Sequence, residues 1–256
     1  MNNNESFECT PFFHSRSQIE YYDKAVIHPK SRYFKVIYEI LAGFETGTES
    51  FLDIGSGTGV LGNIMKDVFK RVDLVDSSPV MCELSRHKND GFGNIYHHNC
   101  NFESFIPVVK KYDLITSIHV AGGYFLNKEF IRRILDMKNG PAVFFLLKPY
   151  NDKFYSDELY PLLFSENKVI SSSKFKIIPF VENLIDCSVD FEFSNIELEL
   201  VQEFKDFEEA MKFWIMYLPK KEYDQDVLKE FLLKKLENFH DKYFYRNTVK
   251  SVVIKF

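Results

Sequence analysis

The residues best suited to chemistry form one stretch, in which an acid and three alternating glycines follow a short apolar run. Asp53 precedes Gly55, Gly57 and Gly59, and a helix-forming segment begins at Val60. Glycine lacks a Cβ atom, so such a turn can adopt positive φ and let a ligand approach the backbone closely. The helix start adds unpaired N–H groups that favour anionic or polar ligands. The stretch therefore predicts a strand, a ligand-binding turn and a helix.

A second acid lies where a neighbouring parallel strand would end. The apolar run 72–75 ends at Asp76, 17 residues after Gly59, and Ser77 follows it. A carboxylate at this position can accept hydrogen bonds from both hydroxyls of a ribose. We therefore expect the ligand to contain a nucleoside, held between the glycine-rich turn and Asp76.

Two classes of cofactor bind to strand–turn–helix units of this kind. Dinucleotide enzymes carry Gly-x-Gly-x-x-Gly, but here the third glycine comes one position early and Val60 occupies the expected place. The order Asp-x-Gly-x-Gly-x-Gly with a distant acid resembles the first two motifs of class I S-adenosylmethionine (SAM)-dependent methyltransferases. That resemblance implies a Rossmann-like fold and SAM contacts at Asp53, Gly55, Ser56, Gly57, Gly59, Asp76 and Ser77. The alternative is a glycine-rich turn that only closes a βα unit.

The ends of the next two predicted strands extend the resemblance. Methyltransferases place an acid or amide after the third strand, facing the adenine amino group, and here Asn101 and Phe102 occupy that place. The usual residue is Asp, but an amide oxygen can accept the same hydrogen bond, and Phe102 would pack on the ring. The run 112–119 is similar to the fourth strand, which implies cofactor contacts at Ser117 and Ile118.

His119 ends this fourth predicted strand, at the edge where open α/β sheets bind their ligands. Histidine titrates near neutrality, so His119 is the first candidate for a general base that deprotonates an acceptor. Tyr22 and His28, in the predicted N-terminal helices, are further catalytic candidates. For each of the three, packing without a catalytic role is the alternative.

The apolar pattern predicts the elements that must position these residues. Helical spacing over 18–44, interrupted at Pro29, predicts two N-terminal helices. Five strands then alternate with helices up to residue 147, which favours a doubly wound α/β sheet. Beyond Lys148 we predict a helix, two strands, two helices and a closing strand at 151–166, 175–180, 187–204, 206–217, 223–239 and 248–256.

Together these elements predict one domain over residues 1–256, with a doubly wound seven-stranded sheet whose last strand is antiparallel. An N-terminal helical cap (1–46) covers a cofactor-binding half (47–148), and a substrate-side half (149–256) carries a helical insert before the last strand. The order of elements in the substrate-side half is similar to that of histamine N-methyltransferase and related small-molecule enzymes.

The composition narrows the class of partner. Of 256 residues, 45% are hydrophobic and 27% charged, as in globular domains, and the net charge is −5. This acidic balance, without a long Lys/Arg block, argues against a nucleic-acid substrate. Residues 1–5 lack the features of a secretory signal, and the longest apolar run, 141–147, is too short to span a membrane.

The cysteines and histidines do not predict a metal site. His97 and His98 are adjacent, so on a strand they would face opposite ways. The four cysteines contain no Cys-x-x-Cys pair, and we expect reduced thiols in a cytoplasmic protein at Cys9, Cys82, Cys100 and Cys187.

The motifs that are missing after the fourth strand favour a small acceptor molecule. There is no Asn/Asp-Pro-Pro-Tyr, as in adenine-amino methyltransferases, and no Pro-Cys, as in cytosine-C5 enzymes. We therefore expect SAM-dependent methyl transfer to an amine, hydroxyl or carboxylate of a small molecule. Two alternatives stay open: chemistry on the aminocarboxypropyl group of SAM, which releases methylthioadenosine, and a non-catalytic SAM-binding regulatory subunit.

Overall fold

The computed structural model describes residues 16–120, 127–148, 154–165, 177–219 and 221–256. Its strands are β1 Ser50–Ile54, β2 Arg71–Asp76, β3 Ile95–Asn99, β4 Leu114–Ile118, β5 Ala142–Leu147, β6 Glu192–Phe204, β7 Glu237–Phe239 and β8 Lys242–Lys255. Its α-helices are α1 Arg16–Ile27, α2 Tyr33–Ala42, α3 Val60–Met65, α4 Pro79–Lys88, α5 Lys128–Met137, α6 Tyr160–Phe164, α7 Ile177–Asp186, α8 Phe207–Tyr217 and α9 Gln225–Lys235. A 3-10 turn occupies Phe102–Ser104, and a π-helical turn, Phe154–Leu159, leads into α6.

The strands form one mixed sheet in the order β3-β2-β1-β4-β5-β8-β6, with β7 also paired to β8. The first five strands are parallel to their neighbours, and β8 is antiparallel to both β5 and β6. This order confirms the predicted doubly wound α/β sheet with an antiparallel last strand.

The described sheet has eight strands, and one of them, β7, was not predicted, because the segment expected to be a single helix over 223–239 changes structure near its end. α9 stops at Lys235, and β7 then forms a hairpin with β8. His240 and Asp241 make this turn with φ of 50° and 61°, the left-handed region that tight hairpin turns require.

A second difference lies at α7, where the sequence predicted a strand over 175–180. Phe180 and Leu184 are four residues apart, so helical structure buries both against the sheet. Pro179 lies in the first turn of α7, where its missing N–H group is not needed. Residues 175 and 176 lie outside the described part of the chain.

Two apolar layers cover the faces of the sheet. On one face α5 and α7 pack on alternate strand residues, among them Leu52, Ile115 and Phe144. On the other face α2 and α3 pack on the intervening residues, among them Phe51 and Leu114. Alternation along each strand therefore places Asp53, Asp76 and Thr116 on the α2 side.

The β6–β8 pair extends past the parallel strands at their carboxyl edge. β5 ends with Leu147 opposite Ser251, whereas the pairing of β6 with β8 continues to Phe204 and Tyr243. A third apolar cluster packs on this projecting ribbon and includes Leu159, Phe204, Trp214, Leu228 and Leu232. The segment before α2 joins the ribbon edge, since the N–H group of Val201 donates to Ser31 Oγ at 2.8 Å.

Candidate cofactor and active site

The glycine-rich turn connects β1 to α3 at the carboxyl edge of the sheet. Gly55, Gly57 and Gly59 all have positive φ, at 71°, 54° and 73°. A Cβ atom on Gly55 would lie 2.1 Å from Val120 Cγ2, and one on Gly59 would lie 2.0 Å from Ser85 Oγ. A Cβ atom on Gly57 would meet nothing within 4 Å. The open side of the turn is therefore at Gly57.

Asp76 lies beside this open side and holds the turn. Its Oδ2 accepts the N–H of Gly57 at 2.9 Å, and its Oδ1 accepts the N–H of Ser78 at 2.8 Å. Burial raises the pKa of Asp76, against the opposing effect of these two hydrogen bonds. Ser77, which lies between Asp76 and Ser78 in the sequence, is exposed. The structure thus brings together Gly57, Asp76 and Ser77, as the strand order predicted.

Asp53 lies beneath the turn and is only 2% exposed. The hydroxyl of Thr116 on β4 donates to Asp53 Oδ1 at 2.7 Å. Burial, aided by the nearby carboxylate of Asp76, raises the pKa of Asp53 to about 7. Near neutrality a large share of Asp53 is therefore protonated.

Helix α1 lies across the turn, as predicted for the N-terminal cap. Asp23 Oδ1 accepts the hydroxyl hydrogen of Thr58 at 2.5 Å and forms an ion pair with Lys88 at the end of α4. Both charged side chains are mostly buried. These contacts bring Tyr22, the residue before Asp23, over the same edge of the sheet.

Tyr22 begins a chain of hydrogen bonds across this edge. It bonds to Tyr33 of α2, whose hydroxyl lies 2.5 Å from His119 Nδ1. His119 Nε2 lies 2.6 Å from Ser251 Oγ of β8. Tyr33 and Ser251 are buried, while Tyr22 and His119 are half-buried. Two predicted catalytic residues, Tyr22 and His119, are thus joined through Tyr33, and sequence analysis missed both Tyr33 and Ser251.

The environment of His119 changes its expected protonation. Burial lowers its pKa to about 3, so its imidazole is neutral at pH 7. This differs from the expectation that His119 titrates near neutrality, because burial disfavours the charged imidazolium. Its catalytic role stays a prediction.

His28 lies away from this chain. Its Nε2 is 3.1 Å from Glu203 Oε2, and its ring packs edge-on against Phe244. Phe244 and Ser251 are seven residues apart on β8, a span of about 23 Å along an extended strand. The structure therefore does not bring His28 together with His119.

The predicted adenine contacts occupy two different environments. Asn101 is exposed, but Phe102 is buried and packs edge-on against Phe130, with ring centroids 5.2 Å apart. Asn99, the last residue of β3, pairs with Asp76 and donates to its backbone oxygen at 3.0 Å. Asn99 is a further polar group at this edge, and its place at the end of the third predicted strand was the sequence signal for it.

Ser117 has a buried hydroxyl group that makes no hydrogen bond within the described part of the fold. It is 1% exposed near the end of β4, and its hydroxyl has no hydrogen-bond partner among the described residues. Ile118 follows and is half-buried. An open glycine turn with a carboxylate beside it suits a ligand that contains a nucleoside, as SAM does.

The described segments contain no group of three or more His, Cys, Asp or Glu side chains placed to hold a metal ion. No helix in those segments is long and apolar enough to cross a membrane.

Comparisons with known proteins agree with this geometry. Residues 51–137 match the family model described as "Methyltransferase domain". A putative methyltransferase from Bacillus halodurans is 17% identical, with a TM-score of 0.50, 86% of this chain covered and 96% of that one. The precorrin-6y C5,15-methyltransferase from Geobacter metallireducens is 13% identical, with a TM-score of 0.50 and 86% of each chain covered. Such low identity shows a shared fold alone. No curated protein matches the chain in sequence.

Proposed function

We propose that this chain is a class I SAM-dependent methyltransferase, as the methyltransferase-domain match over residues 51–137 supports, and that it methylates a small-molecule acceptor at the carboxyl edge of its sheet. The observation that carries the proposal is the open side of Gly57 beside the Asp76 carboxylate, with Tyr22 and His119 at the same edge. The turn would hold the cofactor, and the tyrosine–histidine chain would face the acceptor.

Each of the predicted contacts has a defined task in this proposal. Gly57 allows close approach of the cofactor to the backbone, and Asp76 accepts its ribose hydroxyls. Ser117 offers its unpaired hydroxyl from the end of β4. Bound SAM supplies a methyl group on a sulfonium, which passes to a lone pair of the acceptor while the C–S bonding electrons stay on sulfur.

The protein's share of the work is alignment and exclusion of water. Helix α1, fixed by Asp23 to Thr58 and Lys88, covers the turn, and the projecting β6–β8 ribbon stands beside it. An acceptor site between these two elements would suit a small molecule better than a polymer. The net charge of −5 also disfavours a nucleic acid.

A metabolite extract incubated with methyl-labelled SAM tests the proposal. We expect one low-molecular-weight compound to become labelled while S-adenosylhomocysteine forms in equal amount. Formation of methylthioadenosine would instead identify chemistry on the aminocarboxypropyl group. Label found only in protein or nucleic acid, or no turnover with a stable partner protein, would contradict the proposal.

A further inference from the structure

An open cavity of about 670 Å³ lies where the end of α1 meets the end of β6. Its wall residues are Lys24, Ile27 and 28–30 on the α1 side, and Glu203, Lys205 and Glu209 on the β6 side. Small-molecule sites in proteins have volumes of about 300–1,000 Å³. No residue of the glycine-rich turn lines the cavity, so it is separate from the proposed cofactor site.

Two lysine side chains reach this cavity without an anionic partner. Lys24 Nζ lies 5.5 Å from the ring centroid of Tyr21, and Lys30 Nζ lies 4.5 Å from that of Phe244. Within the part of the chain that the structure describes, neither ammonium group forms an ion pair. Lys205 has one exposed ion pair, 3.7 Å long, with the N-cap carboxylate of α8. Positive charge at two points of the wall is therefore available to a ligand.

The two carboxylates of the wall already have partners. Glu203 Oε1 lies 2.5 Å from Lys242 Nζ, and its Oε2 lies 3.1 Å from His28 Nε2. The hydrogen bond from Lys242, followed by that from His28, lowers the pKa of Glu203. Glu209 accepts the hydroxyl hydrogen of Tyr21 at 3.3 Å on one oxygen and a backbone N–H at 2.7 Å on the other. All four carboxylate oxygens are engaged, so the unpaired ammonium groups decide which charge a ligand must carry.

The wall between the two lysines is apolar and held in place. Ile27 is 52% exposed although its side chain is large and apolar, and Pro29 is exposed as well. The turn that contains Pro29 is fixed, because His28 Nδ1 accepts the N–H of Lys30 at 3.1 Å and Ser31 Oγ donates to a backbone oxygen of α1 at 2.6 Å. A ligand would therefore meet a preformed apolar surface beside the two ammonium groups.

We propose that this cavity is a second ligand site, which binds a small organic anion. The charged group of the anion lies at Lys24 and Lys30, and its apolar part packs on Ile27 and Pro29. Lysine ammonium groups suit phosphate and carboxylate groups, and the aliphatic stems of the lysines extend the apolar surface. The site goes beyond methyl transfer and does not depend on it, because the glycine-rich turn takes no part in it.

Titration of nitrogen-15-labelled protein with hexyl phosphate, followed by NMR, tests the site. We expect saturable shifts of amide signals within 24–30 and 203–209, with a dissociation constant of about 0.1–1 mM. Inorganic phosphate, which lacks the apolar part, should bind at least about tenfold more weakly. Hexanol, which lacks the charge, should show no saturation.

Hexanoate tells recognition of a carboxylate from recognition of a phosphate. We expect hexanoate to bind, but more weakly than hexyl phosphate, because a single negative charge then meets two ammonium groups. The absence of saturable shifts with both hexyl phosphate and hexanoate would overturn the proposal. Shifts confined to the glycine-rich turn would overturn it as well.

A double variant tests the two lysines. Lys24→Gln together with Lys30→Gln should weaken hexyl phosphate binding at least about tenfold, because both charged partners are removed. The matched control combines Lys35→Gln and Lys212→Gln, which changes the net charge equally at exposed ion pairs outside the cavity. This control should bind hexyl phosphate as tightly as the unchanged protein. Equal losses in the two double variants would show that only the overall charge matters, and the site would be refuted.

Two further measurements separate the apolar contact and the cofactor from this site. Ile27→Ser should weaken the binding of hexyl phosphate about threefold, because apolar contact is lost, and should leave inorganic phosphate unaffected. Saturating SAM should leave the affinity for hexyl phosphate unchanged, since the two sites share no residue. Mutual exclusion of SAM and hexyl phosphate would place the anion at the glycine-rich turn and contradict the proposal.

Discussion

The hydroxyl of Thr58 donates a hydrogen bond to the carboxylate of Asp23 over 2.5 Å, and this bond fastens the first helix to the glycine-rich turn. Thr58 lies between Gly57 and Gly59, so the helix is held at the position where we expect the cofactor to lie. The ion pair of Asp23 with Lys88 ties the same carboxylate to α4. Cofactor exchange should therefore require this contact to open.

Replacement of Asp23 tests that expectation. In Asp23→Ala the hydroxyl of Thr58 and the ammonium of Lys88 lose their shared partner, so α1 should separate from the turn more readily. We expect SAM to dissociate about tenfold faster, which corresponds to about 1.4 kcal/mol. Stopped-flow fluorescence measures this rate. Glu20→Ala is the control, because Glu20 is on the same helix with its carboxylate exposed. Equal rates of SAM dissociation in the two variants would show that the contact of Asp23 with Thr58 and Lys88 does not limit cofactor exchange.

The pKa of Asp53 predicts a specific dependence of stability on pH. In the unfolded chain this carboxyl has a pKa of about 3.9, whereas burial raises it to about 7 in the folded protein. Between these values the unfolded chain releases a proton that the folded protein retains. The stability contributed by Asp53 is thus complete below about pH 4 and is lost as pH rises to about 7.

Asp53→Asn should remove this loss, because the amide never ionises and can still accept from Thr116. We expect the melting temperature of the variant, relative to the unchanged protein, to increase from pH 4 to 7 and then level off. Thermal unfolding of the cofactor-free protein measures the difference. Parallel curves for the two proteins would show that Asp53 is not buried as described.

Asp113→Asn provides a control of opposite sign. Burial alone would raise the pKa of Asp113, but hydrogen bonds from Asn139 and from the backbone of Glu49 and Ser50 lower it. Its contribution is present above the unfolded pKa and is lost as pH falls. The Asp113→Asn variant should therefore be least stable, relative to the unchanged protein, near neutrality.

The first five strands were predictable because local patterns specify them. Except for β3, each is a short run rich in apolar residues that ends at a glycine turn or a polar residue. Ser78 with Pro79 marks the start of α4 as predicted. The C-terminal half was less predictable. Ile177–Asp186 is helical because Phe180 and Leu184, four residues apart, both reach the core. Packing against the sheet therefore decides between helix and strand in this segment.

The tyrosine–histidine chain could not be derived from sequence. Tyr33 and His119 are 86 residues apart, and His119 and Ser251 are 132 apart, with no local pattern to pair them. The low pKa of His119 likewise depends on burial by elements that are distant in sequence. The sequence placed His119 at the end of the fourth strand, but from sequence alone its pKa could only be taken as that of an ordinary histidine.

Asp76 should contribute directly to cofactor affinity. Asp76→Ala removes the proposed ribose acceptor and also the bonds that hold the N–H groups of Gly57 and Ser78. We expect SAM binding to weaken by about 1.5–3 kcal/mol, the range for hydrogen bonds to a charged group. Calorimetry measures the change. Asp90→Ala, at an exposed position, is the control, and an unchanged dissociation constant in folded Asp76→Ala would remove Asp76 from the site.

Nucleic acids should not bind tightly. A protein with a net charge of −5 attracts the negatively charged phosphate backbone of a nucleic acid only weakly. Fluorescence anisotropy with tRNA and duplex DNA at about 0.15 M salt should show no saturable binding below the micromolar range. A salt-sensitive nanomolar complex would refute the assignment of a small-molecule acceptor.

The most direct test compares SAM binding by Gly57→Ala and Gly91→Ala. Both glycines have positive φ, at 54° and 84°, and open space at the Cβ position, but Gly91 lies in the turn between α4 and β3. Both variants should lose similar stability, about 1–2 kcal/mol for a left-handed non-glycine residue. By calorimetry, Gly57→Ala should bind SAM at least tenfold more weakly than the unchanged protein. Gly91→Ala should bind SAM as tightly as the unchanged protein, and NAD should not compete with SAM. Equal SAM affinity in all three proteins, or binding of NAD instead of SAM, would contradict the assignment of this turn to the cofactor.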